Sequence, residues 1–116
     1  MLKRLLIALG IFAAAFAFNA MMTSSGYFPD PDSFYHAKMG ELMTRNPVVR
    51  DFPWLTETVF ADAYVDHHWG YHLFLVPFVA ALGSVEGIQL ATLILASLVP
   101  VAAFLLVASW GSVRVG

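Results

Sequence analysis

Apolar residues gather into three long segments, and a polar stretch separates the first from the second. The first segment covers residues 5–22 and contains no charged residue. The second covers residues 69–85 and the third residues 88–110, again without a charge. As a helix the third would be roughly 34 Å long, enough to cross about 30 Å of hydrocarbon. The pattern therefore predicts a single all-α, polytopic membrane module over residues 1–116, with three transmembrane helices.

The basic residues beside the first segment predict the orientation of these helices. Lys3 and Arg4 precede it, and no other basic residue follows until position 38. The positive-inside rule then places the N-terminus in the cytoplasm and residues 23–68 outside it as an extracytoplasmic loop. Residues 83–87, with a glycine at each end, are predicted to form a tight cytoplasmic turn. In this orientation Arg114 would lie outside the cytoplasm, against the rule, but a single charge is weak evidence.

The first segment has a second interpretation, as a cleaved secretory signal peptide. Lys3 and Arg4 would form its basic region, and Ala15-Phe16-Ala17 its cleavage site. The apolar run continues past that site to Met22. Because this length is long for a signal peptide, a retained anchor is favoured.

The composition agrees with a membrane protein and excludes several other classes. Hydrophobic residues make up 59% of the chain and charged residues 12%, whereas soluble domains average about 45–50% and about 25%. Net charge is -2 with only six Lys and Arg residues, which leaves no basic patch for a nucleic acid. The absence of cysteine excludes disulfides and thiolate metal sites. Membrane lipid is the partner that this composition implies.

The extracytoplasmic loop concentrates the charge of the chain. Seven of the eight acidic residues lie within residues 30–66, and all four histidines lie within residues 36–72. Ten aromatic residues are spread over residues 27–71. This composition is not that of a flexible linker, and it predicts an ordered structure lying on the bilayer surface.

A helix is predicted within the loop, over about residues 31–45. Asp30 is a suitable N-cap, and Pro31 is favoured at the first helical position. Glu41 and Arg45 have the spacing of an i,i+4 ion pair. An apolar stripe follows the helical period and consists of Tyr35, Met39, Leu42 and Met43. The prediction is an amphipathic helix that lies in the membrane interface.

Two carboxylates open this helix and form the first candidate site. Asp30 and Asp32 are an Asp-x-Asp pair, and hard cations such as Mg²⁺ or Mn²⁺ prefer carboxylate oxygens. Asp32 and His36 share a helix face at i,i+4. The alternative is capping, because acids at a helix N-terminus satisfy free amides and complement the helix dipole. On its own the pair favours capping.

The second candidate site is the run Asp66-His67-His68-Trp69-Gly70-Tyr71-His72, where the loop reaches the second span. His68 and His72 are i,i+4, a spacing that lets two imidazoles reach one metal ion. The glutamate of zinc proteases is absent, since Trp69 follows His68. An interfacial belt would explain Trp69 and Tyr71 but not the histidines, and polar groups at a membrane entrance tend to mark function. Asp66 is also predicted to be the N-cap of the second span.

Several motifs together resemble a known family. They are Asp32-Ser33-Phe34-Tyr35-His36, Phe52-Pro53-Trp54-Leu55, Val65-Asp66-His67-His68 and the Tyr71-His72 pair before a span. They resemble the N-terminal part of polytopic membrane glycosyltransferases of the GT-C type. The likeness is nearest to the oligosaccharyltransferase catalytic subunit and its uncharacterised prokaryotic relatives. It implies transfer of a sugar or oligosaccharide from a lipid-linked sugar donor, a polyprenyl phosphate or pyrophosphate, to an acceptor on the extracytoplasmic side.

The resemblance also implies roles and a location. Asp32 would be the catalytic carboxylate, which binds a divalent cation (Mg or Mn) or acts as base on the acceptor. The metal-binding set would be Asp32, Asp30, His36, Asp66, His67 and His68, while Tyr35 and His72 would contact the substrate. The protein would be a multi-pass component of a prokaryotic inner membrane. Because such enzymes have further spans and a second acidic motif, the chain is interpreted as a fragment of a larger GT-C fold, inactive alone.

Two other functions stay open at the level of the sequence. One is a small non-enzymatic membrane protein or complex subunit whose acidic, histidine-rich periplasmic loop binds metal. The other is a membrane metallohydrolase built on His68 and His72, which would need a third ligand and a general base.

Overall fold

The computed structural model describes residues 1–23, 28, 30–52, 54–61 and 63–113. Four α-helices lie within these ranges: α1 (Leu2–Met22), α2 (Asp32–Met43), α3 (Trp69–Leu82) and α4 (Ser84–Val113). A short 3-10 helix covers Val59–Ala61, and the described ranges contain no strand. The prediction of an all-α fold is confirmed for this part of the chain. Tyr27, Pro53, Asp62 and Arg114, which the sequence patterns include, lie outside the described residues.

Two helices, α1 and α4, are long and apolar enough to cross a membrane. With 21 and 30 residues they extend about 32 Å and about 45 Å. None of the side chains of α1 is buried by the rest of the described chain. Exposed apolar surface of this extent typically marks contact with a membrane or another protein.

The second predicted span is shorter in the structure than residues 69–85. Helix α3 has 14 residues, about 21 Å, because Gly83 adopts a φ of 88° and ends it. The N–H of Gly83 closes the helix on the carbonyl of Val79. Helix α4 begins at the next residue, Ser84, so one glycine replaces the five-residue turn that was predicted over residues 83–87.

The chain forms two compact units, which we describe separately. Residues 1–24 and 91–116 form the first. Within it, the rings of Phe12 and Phe16 stack with centroids 6.0 Å apart, and the fully buried Ser97 donates a hydrogen bond to the carbonyl of Leu93. Residues 25–90 form the second unit, which we call the lobe.

In the lobe, α2 packs against α3. Met39, Phe52 and Tyr64 are buried at its centre, and half-buried side chains surround them: Tyr35, Leu42, Val49, Leu55 and Phe60. The apolar stripe of α2 therefore packs into this core, whereas the sequence predicted that it would lie in the membrane interface. Gly40 permits the close approach of the two helices, since a Cβ there would meet Val79 Cγ2 at 3.0 Å.

The ends of α2 differ in detail from the prediction. Asp30 caps the helix, because its carboxylate accepts the backbone N–H of Ser33 at 3.0 Å and the Ser33 hydroxyl at 2.7 Å. Pro31 is at the N-cap position, one residue before the helix. At the other end α2 stops at Met43, which leaves Arg45 outside the helix, and Glu41 and Arg45 do not form the predicted ion pair. Glu41 instead accepts Lys38 Nζ at 3.3 Å.

Candidate functional site

A chain of hydrogen bonds joins three of the candidate residues in the lobe. Asp66 Oδ2 lies 2.7 Å from Nδ1 of His72, and Nε2 of His72 lies 2.8 Å from Nδ1 of His36. His72 is fully buried, and the Asp66 side chain is only 6% exposed. His36 is half-buried, so the chain leads from the interior of the lobe towards its surface. We refer to Asp66, His72 and His36 as the relay.

Local structure holds each end of the relay in place. Asp66 precedes α3, and its Oδ1 accepts the backbone N–H of His68, the N-cap residue, at 2.9 Å. Asp66 thus helps to start α3, as predicted, although two residues before the N-cap. Its second oxygen faces His72 in the first turn of α3, while His36 projects from α2. The packing of α2 on α3 is therefore what assembles the relay.

The order of donors and acceptors follows from the carboxylate. Because a carboxylate only accepts, Nδ1 of His72 carries the hydrogen that Asp66 receives. In the tautomer where Nε2 of His72 accepts, Nδ1 of His36 is the donor in the second bond. This leaves the lone pair of His36 on Nε2, for which the described residues provide no hydrogen-bond partner. His36 is thereby oriented as a proton acceptor.

The surroundings of His36 favour its neutral form. Burial lowers the pKa of His36, and the nearby His72 and His68 lower it further. The carboxylates of Asp32 and Asp30 act in the opposite direction but do not cancel the effect. A neutral imidazole is the form that can take a proton, so the site suits a general base at neutral pH.

Aromatic rings surround the relay. Tyr71 and His68 meet the ring of His36 edge-on, at centroid distances of 5.1 and 5.4 Å. The hydroxyls of Tyr35 and Tyr64 are hydrogen-bonded to each other. Burial raises the pKa of both phenols, which keeps them neutral. The tyrosine pair thus adds polar groups without adding charge.

The structure brings together only part of the predicted metal-binding set. His36, His68 and Asp66 surround His72, whereas Asp30 and Asp32 are exposed at the start of α2 and His67 is exposed with its ring 6.4 Å from Phe60. Within the described ranges no three His, Asp or Glu side chains are grouped so that they could hold a metal ion. The divalent cation stays a prediction.

The two predicted substrate contacts have different surroundings. Tyr35 is half-buried, with its hydroxyl bonded to Tyr64. His72 is fully buried and both of its ring nitrogens are hydrogen-bonded, so neither nitrogen is free to contact a ligand. Sequence analysis missed Tyr64 and the link between His36 and His72. No local pattern signals either contact, because the partners are 29 and 36 residues apart.

Taken together, the relay can accept a proton at His36 and stabilise the resulting positive charge through His72 and Asp66. Asp32, one helical turn before His36, adds an exposed carboxylate on the same face. No family model, curated protein or solved structure matches this chain.

Proposed function

We propose that this chain is the N-terminal part of a polytopic membrane glycosyltransferase. It would transfer a sugar or oligosaccharide from a polyprenyl phosphate or pyrophosphate donor to an acceptor on the extracytoplasmic side. The observation that carries the proposal is the relay of Asp66, His72 and His36, whose geometry suits a general base, in a chain that also contains two apolar helices long enough to cross a membrane. The motif resemblance supplies the reaction class.

The relay fits the proton transfer that this reaction requires. The acceptor oxygen or nitrogen attacks the anomeric carbon, and the bond from that carbon to the phosphate oxygen breaks. The phosphate leaves with the electron pair, and the acceptor loses a proton. His36 Nε2 takes this proton, while its Nδ1–H stays bonded to His72, whose own Nδ1–H is held by Asp66. The buried carboxylate stabilises the positive charge as it forms.

Asp32 is the second group in the proposal. It is exposed at the first residue of α2, where the helix dipole favours a negative charge. Its carboxylate would orient the acceptor. No three cation ligands are grouped in the described ranges, so the proposal assigns no step to the divalent cation, which stays a prediction. Ser33 donates hydrogen bonds to both carboxylate oxygens of Asp30. The bond from its hydroxyl, and to a smaller extent the bond from its N–H, lowers the pKa of the Asp30 carboxyl below its usual range.

The membrane arrangement follows the polarity of the chain. Helices α1 and α4 would cross the bilayer, and α3 would form the remaining span, with residues 66–68 as its first turn at the interface. The lobe residues before α3 would then lie at the headgroup level of a prokaryotic inner membrane, outside the cytoplasm. This is the depth at which the phosphate of a lipid-linked donor lies.

The test uses membranes that contain the full-length protein of which this chain is part. They are supplied with radiolabelled polyprenyl-phosphate and polyprenyl-pyrophosphate sugars, and transfer to acceptor is measured. His36→Gln should lower kcat by about 100-fold or more, the usual contribution of a general base. The wild-type rate should also fall at acidic pH as His36 is protonated. The rate of the His36→Gln variant should not show this fall.

The matched control is Glu57→Gln, an exposed carboxylate of the same loop. It should transfer sugar at the wild-type rate. Full activity in the His36→Gln variant would remove the relay from the mechanism. Wild-type membranes that bind divalent metal but transfer no sugar would favour the non-enzymatic alternative.

A further inference from the structure

Basic residues of the extracytoplasmic loop gather at one pocket, away from the relay. The loop contains only Lys38, Arg45 and Arg50 as basic residues, against seven acids. A pocket of 370 Å³ is lined by both arginines and by the ring of Trp54. Lys38 Nζ lies 5.3 Å from the centre of that ring. Two of the three cations of an acidic loop therefore line one cavity, and the third lies against the ring of a lining tryptophan while paired with Glu41.

The two arginines are available to a ligand. Both are exposed, and neither forms an ion pair with the described residues. Of the acidic residues that the structure describes, Asp51 is the one that lines the pocket. The planar guanidinium fork matches the oxygens of a phosphate and binds it with two parallel hydrogen bonds. The charge of the pocket thus favours a phosphate group.

The backbone of the pocket wall is held in place by the rest of the lobe. The indole N–H of Trp69 donates to the carbonyl of Pro47 at 2.9 Å, and the N–H of Tyr64 donates to the carbonyl of Arg50 at 3.0 Å. The side chain of Asn46 also accepts a backbone N–H two residues ahead, at 3.1 Å. A wall fixed in this way loses little conformational entropy when a ligand binds.

The same contacts place the pocket near the membrane. Trp69 is the first residue of the apolar helix α3 and is 47% exposed, and tryptophan is enriched at the headgroup level of bilayers. Val48 and Trp54 add exposed apolar surface at the pocket. Cationic groups beside apolar surface suit a phospholipid headgroup better than a free phosphate ion.

We propose that this pocket binds the phosphate headgroup of an anionic phospholipid and so holds the lobe on the bilayer surface. The site is separate from the chemistry, since His36 is near the start of α2 and the pocket lies at its end, around Leu42 and Arg45. The proposal uses the placement of α3 in the bilayer from the proposed function. It does not use the glycosyl transfer reaction.

The experiment measures lipid binding to the full chain, purified in a neutral detergent. Phosphatidylglycerol or phosphatidylcholine is titrated in, and bound lipid is counted by native mass spectrometry. The wild-type chain should retain phosphatidylglycerol in preference. The double variant Arg45→Gln/Arg50→Gln should bind it about 30-fold more weakly, as expected for two surface cations. Lys3→Gln/Arg4→Gln removes the same charge elsewhere and should leave this site intact.

A second variant keeps the test independent of folding. Asp51→Asn removes the acidic residue of the pocket and should tighten phosphatidylglycerol binding, without touching the core. Unchanged binding in both the arginine variant and Asp51→Asn would overturn the proposal. So would an equal loss in the Lys3→Gln/Arg4→Gln control. If inorganic phosphate at the same concentration displaces the lipid, the site recognises a free anion and the lipid assignment is wrong.

The assay contains no sugar donor, so its outcome is independent of the transferase proposal. Lipid binding without transfer would leave the pocket established and the enzyme refuted. Sugar transfer by a protein that shows no preference for phosphatidylglycerol in the lipid assay would support the enzyme and refute the pocket.

Discussion

The close packing of α3 and α4 at the connection between them depends on Gly87. It lies in the first turn of α4 and is buried. A Cβ at this position would be 2.6 Å from the carbonyl oxygen of Phe78 and 2.8 Å from Cα of Val79. These atoms belong to the backbone of α3, so no side-chain rotation relieves the contact. Gly87→Ala must therefore push the two helices apart.

The expected loss follows from two opposing effects. Overpacking of a tight contact typically costs about 1–3 kcal/mol. Alanine in place of glycine gains about 1 kcal/mol of helix propensity. Because the contact is with rigid backbone, the overpacking cost should be near its upper end, and the net loss of unfolding free energy about 1–2 kcal/mol. For a unit of this size the fall in Tm should be about 5 °C or more.

Thermal unfolding of the detergent-solubilised chain, followed by tryptophan fluorescence, measures this loss. Gly70→Ala is the matched control, since Gly70 is in α3 and a Cβ there would meet nothing within 4 Å. It should leave Tm unchanged or raise it slightly, by the gain in helix propensity. A Gly87→Ala variant as stable as the wild type would refute the close approach. A Gly70→Ala variant that is equally destabilised would show that the effect is not one of packing.

Two further predictions concern the relay and the tyrosine pair. Because the folded state lowers the pKa of His36 below its ordinary 6.5, the unfolded chain takes up its proton first as pH falls. Tm should therefore decrease with pH below about 6.5, and His36→Gln should flatten this dependence; an unaltered slope would contradict it. Tyr35→Phe and Tyr64→Phe should each lower the unfolding free energy by about 1 kcal/mol, because each leaves one half-buried hydroxyl unpaired. In urea unfolding the double variant should lose no more than either single one, and strict additivity would show that the two hydroxyls do not interact.

Features set by neighbouring residues could be predicted from the sequence. The apolar runs predicted α1 and α4, and Asp30 caps α2 as its position before Pro31 and Asp32 indicated. Asp66 contacts the start of α3 for the same reason, since carboxylates bond to backbone amides a few residues ahead. Such contacts form between residues that are only a few positions apart in the sequence.

The remaining features depend on packing between elements and were out of reach. Helical periodicity identified His36 and His72 as candidates, but nothing in it specifies that their rings meet across 36 residues. Glycine is common both in turns and where two helices pack closely, so residue type alone could not show which of these roles Gly87 has. Within the described residues only part of the predicted metal-binding set comes together, for a related reason. Proximity in sequence put Asp30, Asp32 and His36 together, whereas capping turned the carboxylate of Asp30 towards Ser33.

The bond between His36 and His72 has a consequence for the order of folding during synthesis. Helix α2 cannot dock until residue 72 has left the ribosome, because its partner on α3 does not yet exist. In that interval the apolar stripe of α2, including Met39 and Met43, lacks the part of the lobe that α3 provides. The bilayer surface is the nearest apolar phase, and an amphipathic helix binds there reversibly. The stripe would thus have two successive partners, first lipid and then the lobe.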